Sequence, residues 1–194
     1  DAGMPCISDP GEPLVQLCHK LGVPMEVVPG PSAAIAALAV SGQHTARFAF
    51  EGFLSVNRNQ RTAHLEQLRQ EQRTMIFYEA PHKLCRTLAD MAAVFGGDRS
   101  LSLCRELTKI HEEVRLTTFA DAIAYYENTP PRGEFVLVVA GAVPQQEAQL
   151  TLEEAAERVR QYVADGQKLT QACKTVAAET GHRKSDLYDA VQKD

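Results

Sequence analysis

The chain has 194 residues, of which 44% are hydrophobic and 23% charged, a composition typical of a globular protein with one large or two small domains. No apolar run approaches the roughly 18 residues of a membrane span, and the net charge of −5 argues against indiscriminate nucleic-acid binding. Five scattered cysteines without a C-x-x-C pair favour reduced thiols in a cytoplasmic protein over a metal site or a disulfide framework.

The chain opens on the stretch "DAGMPCISDPG", which predicts a tight loop before a helix over 12–21. Gly3 and Gly11 permit sharp backbone bends, and two prolines stiffen the path between them. Ser8 or Asp9 is predicted to cap the helix. Such a crossing exposes backbone N–H groups at the sheet edge where α/β proteins bind ligands. A surface turn without a ligand is the alternative for this spacing.

A second turn of the same kind follows a short strand predicted over 24–28. The stretch "VPGPSAA" then leads into a very apolar helix, with Ser32 as its predicted N-cap. Two such turns at the ends of neighbouring strands predict two sides of one pocket. Residues 1–43 are too few to build a core alone, so they predict part of an α/β domain.

Residues 46–141 alternate strand and helix patterns and predict a self-sufficient α/β domain. The predicted strands cover 47–54, 73–80, 100–107, 112–119 and 133–141, and the predicted helices cover 58–72, 81–97 and 120–128.

The polar stretch 142–149 predicts a linker, and 151–194 predicts three short helices, the third capped by Ser185. Small and apolar residues around "AAETGHRKSDLY" are spaced as in a helix-turn-helix, with Arg183 and Lys184 where nucleic-acid backbone contacts would fall. Seven Lys/Arg against eight Asp/Glu give this segment no dominant basic face. A packing or dimer-support role is therefore the alternative.

Six motifs, taken together and in this order, carry a family resemblance. They are "DAGMPCISDPG", "VPGPSAA", "FEGFL", "FYEAPHKL", "CRELTK" and "RGEFVLVVAG". Their order and spacing resemble the ribosomal small-subunit RNA 2′-O-ribose cytidine methyltransferases of the tetrapyrrole methylase superfamily. Met4 and Ser55 depart from the threonine and proline that the family pattern has at these places, which weakens the transfer at those two positions only.

The resemblance implies an α/β tetrapyrrole methylase-like fold of two domains, with S-adenosylmethionine between them, and a C-terminal helical extension. It implies methyl transfer to a cytidine 2′-hydroxyl in small-subunit ribosomal RNA, either naked or in a ribosomal particle, by a homodimer. The family pattern also has a strand and a Thr-Pro-Ile-Gly-Asn-type loop before the first motif. We therefore expect this chain to lack much of its first domain, to bind cofactor poorly and to be inactive as a fragment.

The resemblance and the strand ends together select the candidate site residues. The cofactor-binding candidates are Asp1, Ala2, Gly3, Met4, Pro5, Gly30, Pro31, Ser32, Ala33, Gly133 and Glu134. The catalytic candidates are Glu106 and Glu79, ranked above His82, together with Lys109. A purely structural carboxylate–lysine pair is the alternative for Glu106 and Lys109. Gly133 has the alternative of a plain turn residue.

RNA contact requires cations, and the candidates are Arg58 and Arg61 in "SVNRNQR" with Arg183 and Lys184 in the helical tail. Two other functions stay open on the residues alone. One is methylation of a tetrapyrrole, which the low aromatic content of 6% disfavours. The other is a non-catalytic nucleic-acid or ribosome-binding module, in which 46–141 is a scaffold and the tail binds.

Overall fold

The computed structural model describes residues 3–143 and 150–192. The chain divides into two compact units, 1–143 and 144–194, and each is described by itself. Most of the predicted linker lies outside the described residues. Ala142, however, is buried, and its N–H donates to the carbonyl of Glu71. The first unit therefore includes both predicted α/β pieces and extends through this residue.

The described elements alternate between helix and strand up to residue 139 and are helical beyond residue 151. They are α1 (Glu12–Leu21), α2 (Ala33–Val40), β1 (Phe48–Phe53), α3 (Arg58–Gln67), β2 (Thr74–Glu79), α4 (Pro81–Phe95), β3 (Ser100–Arg105), β4 (Glu113–Thr118), α5 (Phe119–Asn128), β5 (Phe135–Val139), α6 (Leu152–Ala164), α7 (Leu169–Thr180) and α8 (Lys184–Gln192). No described helix is long and apolar enough to cross a bilayer.

The five strands form one mixed sheet in the order β1-β2-β5-β3-β4. Only β1 and β2 run parallel, and every other neighbouring pair is antiparallel. The carboxyl ends of β1, β2 and β3 therefore meet the amino ends of β4 and β5 at one edge of the sheet. This shared edge, called the site edge below, collects the predicted catalytic residues together with Gly133 and Glu134.

Alternation along the central strands places apolar side chains on both faces of the sheet. One face packs against α3, α4 and α5 through a large cluster that includes Phe77, Leu84 and Leu137. The opposite face packs against α2 through a smaller cluster that includes Leu38 and Val138. The helix α2 thus carries the 30–33 turn directly onto the sheet.

Three predictions for the opening segment need correction. Residues 24–28 form no strand, because no described strand lies beside them to exchange hydrogen bonds, and Val28 is 85% exposed. Neither Ser8 nor Asp9 caps α1, since its N-cap is Gly11. Ser32 is the N-cap of α2 as predicted, but its side chain makes no capping hydrogen bond.

The second unit is a three-helix cluster around a small apolar core that includes Val159, Cys173 and Leu187. Its first helix, α6, begins with a capping box in which Thr151 and Glu154 satisfy each other's backbone N–H groups. The predicted cap by Ser185 is wrong, because α8 already begins at Lys184.

Candidate cofactor cleft

The two glycine-containing turns of the opening segment touch each other, as predicted. The N–H of Met4 donates to the carbonyl of Pro31 at 2.9 Å. Gly3 has φ +100°, and a Cβ added to it would lie 2.5 Å from the Pro31 carbonyl oxygen. A Cβ on Gly30 would lie 3.2 Å from the carbonyl carbon of Gly3. Only glycine at residue 3 permits this approach, so the two turns form a shared cradle, called the glycine cradle below.

A cavity of about 550 Å³ opens at the site edge beside the glycine cradle. Its volume lies within the range of small-molecule sites. It brings together four of the predicted residues, Ala33, Glu79, His82 and Glu134. The other lining residues are Ser8, Phe53, Tyr78, Ala80, Pro81, Phe135 and Val136. Asp1 and Ala2, which were also predicted to bind the cofactor, lie outside the described residues.

Tyr78 is a cavity residue that the sequence analysis missed. Its hydroxyl accepts the N–H of Ala34 at 3.0 Å, which fixes the first turn of α2 against the sheet. The rings of Phe50 and Phe53 meet the Tyr78 ring edge-on, at 5.0 and 5.5 Å between centroids. The signal for this aromatic wall was present in "FEGFL" and "FYEAPHKL", where aromatic residues end two adjacent strands.

Glu79 is 4% exposed, and both of its carboxylate oxygens accept hydrogen bonds from within the chain. The hydroxyl of Thr87 donates at 2.6 Å, and the N–H of Ala80 donates at 2.8 Å. Because Ala80 is the N-cap of α4, the carboxylate also lies at the positive end of that helix. His82 is exposed in the first turn of the same helix. Both side chains line the cavity, and that of Glu79 is fixed by two hydrogen bonds whereas that of His82 is exposed.

Glu106, Lys109 and Glu134 form a polar cluster beside the cavity, called the clasp below. The ammonium of Lys109 lies 3.0 Å from Glu106 Oε1 and 2.8 Å from Glu134 Oε2. The N–H of Glu134 donates to Glu106 Oε1 at 2.8 Å. Glu106 has φ +49° and Thr108 φ +63°, so the turn after β3 adopts a left-handed backbone at two non-glycine residues.

The contacts within the clasp shift the pKa values of Glu106 and Lys109 in opposite directions. The N–H of Glu134, with help from Lys109, holds the pKa of Glu106 below its usual value. Hydrogen bonds to Glu134 and Glu106 raise the pKa of Lys109. A carboxylate with a lowered pKa is a poor proton acceptor. The geometry therefore favours the structural alternative for Glu106 and Lys109 over a role as the general base.

Gly133 belongs to the same cluster through a close contact. Its φ is +79°, and a Cβ there would lie 2.5 Å from Cγ of Glu106. Glycine at this position lets the Glu106 side chain lie flat against the chain that leads into β5. The clasp thus positions Glu134 and Phe135, which line the cavity.

The structure corrects the RNA-contact prediction for Arg61. Its side chain is 3% exposed and forms an ion pair with Asp90 at 2.7 Å. It also donates to the carbonyls of Ser55 and Val56. A guanidinium buried in this way fixes the loop before α3 and is not presented to a phosphate. Arg58 is exposed at the start of the same helix, as the prediction requires.

The remaining RNA candidates, Arg183 and Lys184, are exposed where α7 gives way to α8. Gly181 ends α7 in a left-handed conformation, which produces the predicted sharp turn between the two helices. Another face of this unit forms a groove lined by Glu153, Glu157, Asp186 and Asp189 as well as Arg160. The unit therefore carries cations at the turn and carboxylates on the α6–α8 face.

Comparison with known proteins decides the family. The profile of the Tetrapyrrole (Corrin/Porphyrin) Methylases matches residues 1–123. The chain belongs to this family. Tetrapyrrole methylases use S-adenosylmethionine as the methyl donor, so the glycine cradle and its cavity lie in an S-adenosylmethionine-dependent methyltransferase.

Curated relatives extend the match to nearly the whole chain. A Synechocystis protein named ribosomal RNA small subunit methyltransferase I is 45% identical over 97% of this chain and 67% of its own length. A Mycobacterium tuberculosis protein of the same name is 43% identical over 98% of this chain and 66% of its own length. The chain spans about two thirds of the length of these relatives.

Solved structures show the same fold at low identity. The methyltransferase CobJ matches with a TM-score of 0.56 at 18% identity, covering 73% of this chain and 63% of its own. Diphthine synthase matches with a TM-score of 0.51 at 15% identity, covering 71% of this chain and 57% of its own. The predicted tetrapyrrole methylase fold is therefore confirmed.

The residues of the cleft fit S-adenosylmethionine. The absence of Cβ atoms at Gly3 and Gly30 lets the two turns approach each other, and Ser8 and Ala33, which flank them in sequence, line the cavity. The neighbouring wall combines the apolar and aromatic surface of Phe53, Phe135 and Val136 with a few polar groups, which suits an adenosine. Within the described residues, no group of His, Cys, Asp and Glu side chains could hold a metal ion.

Proposed function

We propose that this chain is part of a 2′-O-ribose methyltransferase that uses S-adenosylmethionine to modify a cytidine in small-subunit ribosomal RNA. The observation that carries the proposal is the glycine cradle, where Gly3 and Pro31 meet beside a cavity. Relatives that match nearly the whole chain are named for the same substrate class. We extend the activity for which those relatives are named to this chain, and we add the ribose 2′-hydroxyl as the acceptor of the methyl group.

The chain's own contribution is binding and orientation. The backbone of Gly3, Met4 and Pro5 and that of Gly30–Ala33 would hold the cofactor, which supplies an activated methyl group when bound. Alignment of donor and acceptor can lower a barrier by roughly 7–11 kcal/mol at best. The clasp keeps Gly133 and Glu134 in place on the opposite side of the cavity.

The proton of the ribose hydroxyl must leave during transfer. Glu79, His82 and Glu134 are proton-accepting side chains on the cavity wall. Glu134 is paired with Lys109. His82 has greater freedom than Glu79 because it is exposed. A positioned base contributes about 10²–10⁴-fold to such a reaction. We place Glu79 and His82 at the acceptor ribose. We assign Glu106 and Lys109 to positioning, since each is engaged within the clasp.

RNA capture involves the exposed cations Arg58, Arg183 and Lys184 in this proposal. Their contacts would go to phosphates, which give affinity and orientation without reading sequence. The proposed substrate also places the protein in the cytoplasm. We also propose that the protein forms a homodimer, and this part of the proposal rests on the family resemblance alone.

A transfer assay tests the function. The protein that contains this chain is incubated with radiolabelled S-adenosylmethionine and small-subunit RNA, and labelled 2′-O-methylcytidine is measured after digestion. We expect Gly3→Ala to remove at least 99% of the activity, because the new Cβ would clash with Pro31. Gly22→Ala is the matched control, since it has a similar positive φ but no atom within 4 Å of its Cβ position.

Two outcomes would overturn the proposal. Labelling of a tetrapyrrole in place of RNA would assign the chain to the other substrate class. RNA binding without any methyl transfer, in a protein shown to bind S-adenosylmethionine, would favour the non-catalytic module.

A further inference from the structure

A second cavity, of about 330 Å³, lies at the site edge on the side of α5. It is lined by Arg105 at the end of β3, Glu113 at the start of β4, Tyr125 on α5, and the loop 129–132, which ends in Arg132. We call it the Arg–Tyr pocket. None of the residues predicted from the sequence to bind cofactor or RNA lies in it.

The pocket has more cationic than anionic side chains around it. Glu113 pairs with Arg105 at 3.2 Å and with Arg115 at 2.6 Å, so one carboxylate serves two guanidinium groups. Arg132 adds a third, exposed cation. Arg105 Nε is buried without a hydrogen-bond partner in 3–143 or 150–192. A buried donor without an acceptor is unfavourable, and an anionic oxygen is a strong partner for it.

The same pocket presents a fixed aromatic ring. Tyr125 is 37% exposed, and the Arg115 guanidinium lies 3.7 Å from its ring centroid. The ring of Tyr126 meets it edge-on, at 4.9 Å between centroids. Single-stranded RNA is bound by this combination of cations for the phosphates with aromatic rings or guanidinium planes for the bases.

The Arg–Tyr pocket adjoins the cofactor cavity through a shared residue. Phe135, the first residue of β5, lines both cavities. The strand β5 lies between β2 and β3, so the end of β2 at the cofactor cavity and the end of β3 at the Arg–Tyr pocket are about two strand spacings, or roughly 10 Å, apart. The described residues that line the cofactor cavity include the carboxylates Glu79 and Glu134 but no Lys or Arg side chain for a phosphate. Cations that retain the RNA must therefore lie beside it.

We propose that the Arg–Tyr pocket binds a nucleotide next to the one that is methylated. Its phosphate contacts Arg105 and Arg132, and its base packs against Tyr125. This inference rests on the proposed function, because it takes RNA as the substrate of the neighbouring cavity.

Binding of a fluorescently labelled, cytidine-containing single-stranded RNA, followed by anisotropy, tests the proposal. We expect Tyr125→Ala to weaken binding roughly tenfold, because one stacking contact is worth about that much, and Arg132→Ala to weaken it because a phosphate contact is lost. Tyr125→Phe should bind as the unchanged protein does. Arg132→Ala should also reduce the slope of log affinity against log salt by about 0.7, the value for one phosphate contact to a single strand.

Two controls make the result specific. Arg69→Ala removes the same charge from an exposed pair with Glu66 outside both cavities, and it should leave RNA affinity unchanged. Calorimetric titration with S-adenosylmethionine should give the same affinity for Arg132→Ala as for the unchanged protein. Thermal unfolding shows whether the Tyr125→Ala protein has kept its fold. If it has not, the RNA affinity of Arg132→Ala, a substitution in an exposed loop, decides the test.

The outcomes separate this proposal from the proposed function. If Arg132→Ala and Tyr125→Ala bind RNA as Arg69→Ala does while the unchanged protein binds and methylates RNA, the pocket is not a subsite and the function stands. If both variants lose RNA affinity but the unchanged protein transfers no methyl group, the pocket binds RNA, but both the methyltransferase proposal and the assignment of the pocket to a nucleotide beside the methylated one fail. If the unchanged protein has no measurable affinity for RNA, the proposal for the Arg–Tyr pocket is wrong as well.

Discussion

The sheet with its packed helices differs from the opening segment 3–43 in how far apolar side chains are buried. In the sheet, residues such as Leu84 and Leu137 are fully buried. In the opening segment, Leu14 and Leu21 are each 65% exposed, while the close contacts are made by backbone at Gly3, Gly30 and Pro31. Within this chain, side-chain packing holds the sheet region together, whereas the close contacts of the opening segment are made by backbone. Substitutions should therefore separate stability from ligand binding.

The largest expected effect on stability is in the sheet core. Leu84→Ala should lower the free energy of unfolding by about 3 kcal/mol, because the side chain is fully buried between α4 and the sheet. Leu14→Ala, at an exposed position of α1, should change it by less than about 0.5 kcal/mol. Urea unfolding measures both values. Equal losses at the two positions would contradict the comparison.

Arg61 and Arg58, three residues apart, sharpen the same comparison. Arg61→Ala should cost about 2 kcal/mol of folding stability, since it leaves Asp90 unpaired at a partly buried site. Arg58→Ala should leave stability unchanged and weaken RNA binding. Thermal unfolding and RNA titration of both variants check this. A stable Arg61→Ala protein with impaired RNA binding would restore the interpretation drawn from the sequence.

A smaller effect is expected from the Thr151 cap in the helical unit. Thr151→Ala should destabilise this unit by about 1 kcal/mol, because both halves of the capping box are lost. Hydrogen exchange should become faster in α6 and stay unchanged in β2 and β5. Thr175→Ala, at a half-buried position within α7 and away from the cap, provides the control. Faster exchange in the sheet as well would show that the two units unfold together.

The smallest effect is expected at the clasp, and it depends on pH. The pKa of Glu106 is lowered in the folded protein, so its stabilising contribution is complete above the unfolded value of about 4.3 and is lost as pH falls through the folded pKa. The pKa of Lys109 is raised, so its contribution is lost only as pH rises through the folded pKa, above the unfolded value of about 10.4. The clasp should therefore be intact at neutral pH.

Calorimetric Tm values across pH test this behaviour. Glu106→Gln should have a lower Tm than the unchanged protein at pH 7, and the difference should shrink as the pH falls below about 4. Glu127→Gln, an exposed substitution on α5, is the control. A difference that grows on acidification would exclude an ionised Glu106 in the clasp.

The sequence predicted the elements of the sheet domain well, because their apolar patterns are long and bounded by Gly and Pro. It also predicted that the two glycine turns meet, because each turn leads into a helix, although the strand expected before the second turn is absent. The strand at 24–28 was wrong because apolar composition indicates a strand but does not supply the neighbour that it needs. The local sequence pattern alone could not distinguish a strand that pairs within the sheet from an apolar segment that has no neighbouring strand.

Side-chain pairings across the fold were beyond the reach of the sequence. Arg61 looked like a surface cation because Asp90, its partner, is 29 residues away. Glu106 looked like a base because nothing in "CRELTK" reveals the N–H of Glu134 that holds its carboxylate. The Arg–Tyr pocket is built from four separate segments and has no local motif.

The left-handed turn at Glu106 and Thr108 has a consequence for engineering this protein. Both residues adopt positive φ values that side chains disfavour, so glycine at either position would relieve strain in the main chain. At residue 108 the exchange removes only a small hydroxyl side chain, whereas at residue 106 it would delete the carboxylate that anchors Lys109 and the approach to β5. The two exchanges are therefore unequal: glycine at residue 108 keeps the clasp, whereas glycine at residue 106 removes the carboxylate that holds Lys109 and the N–H of Glu134.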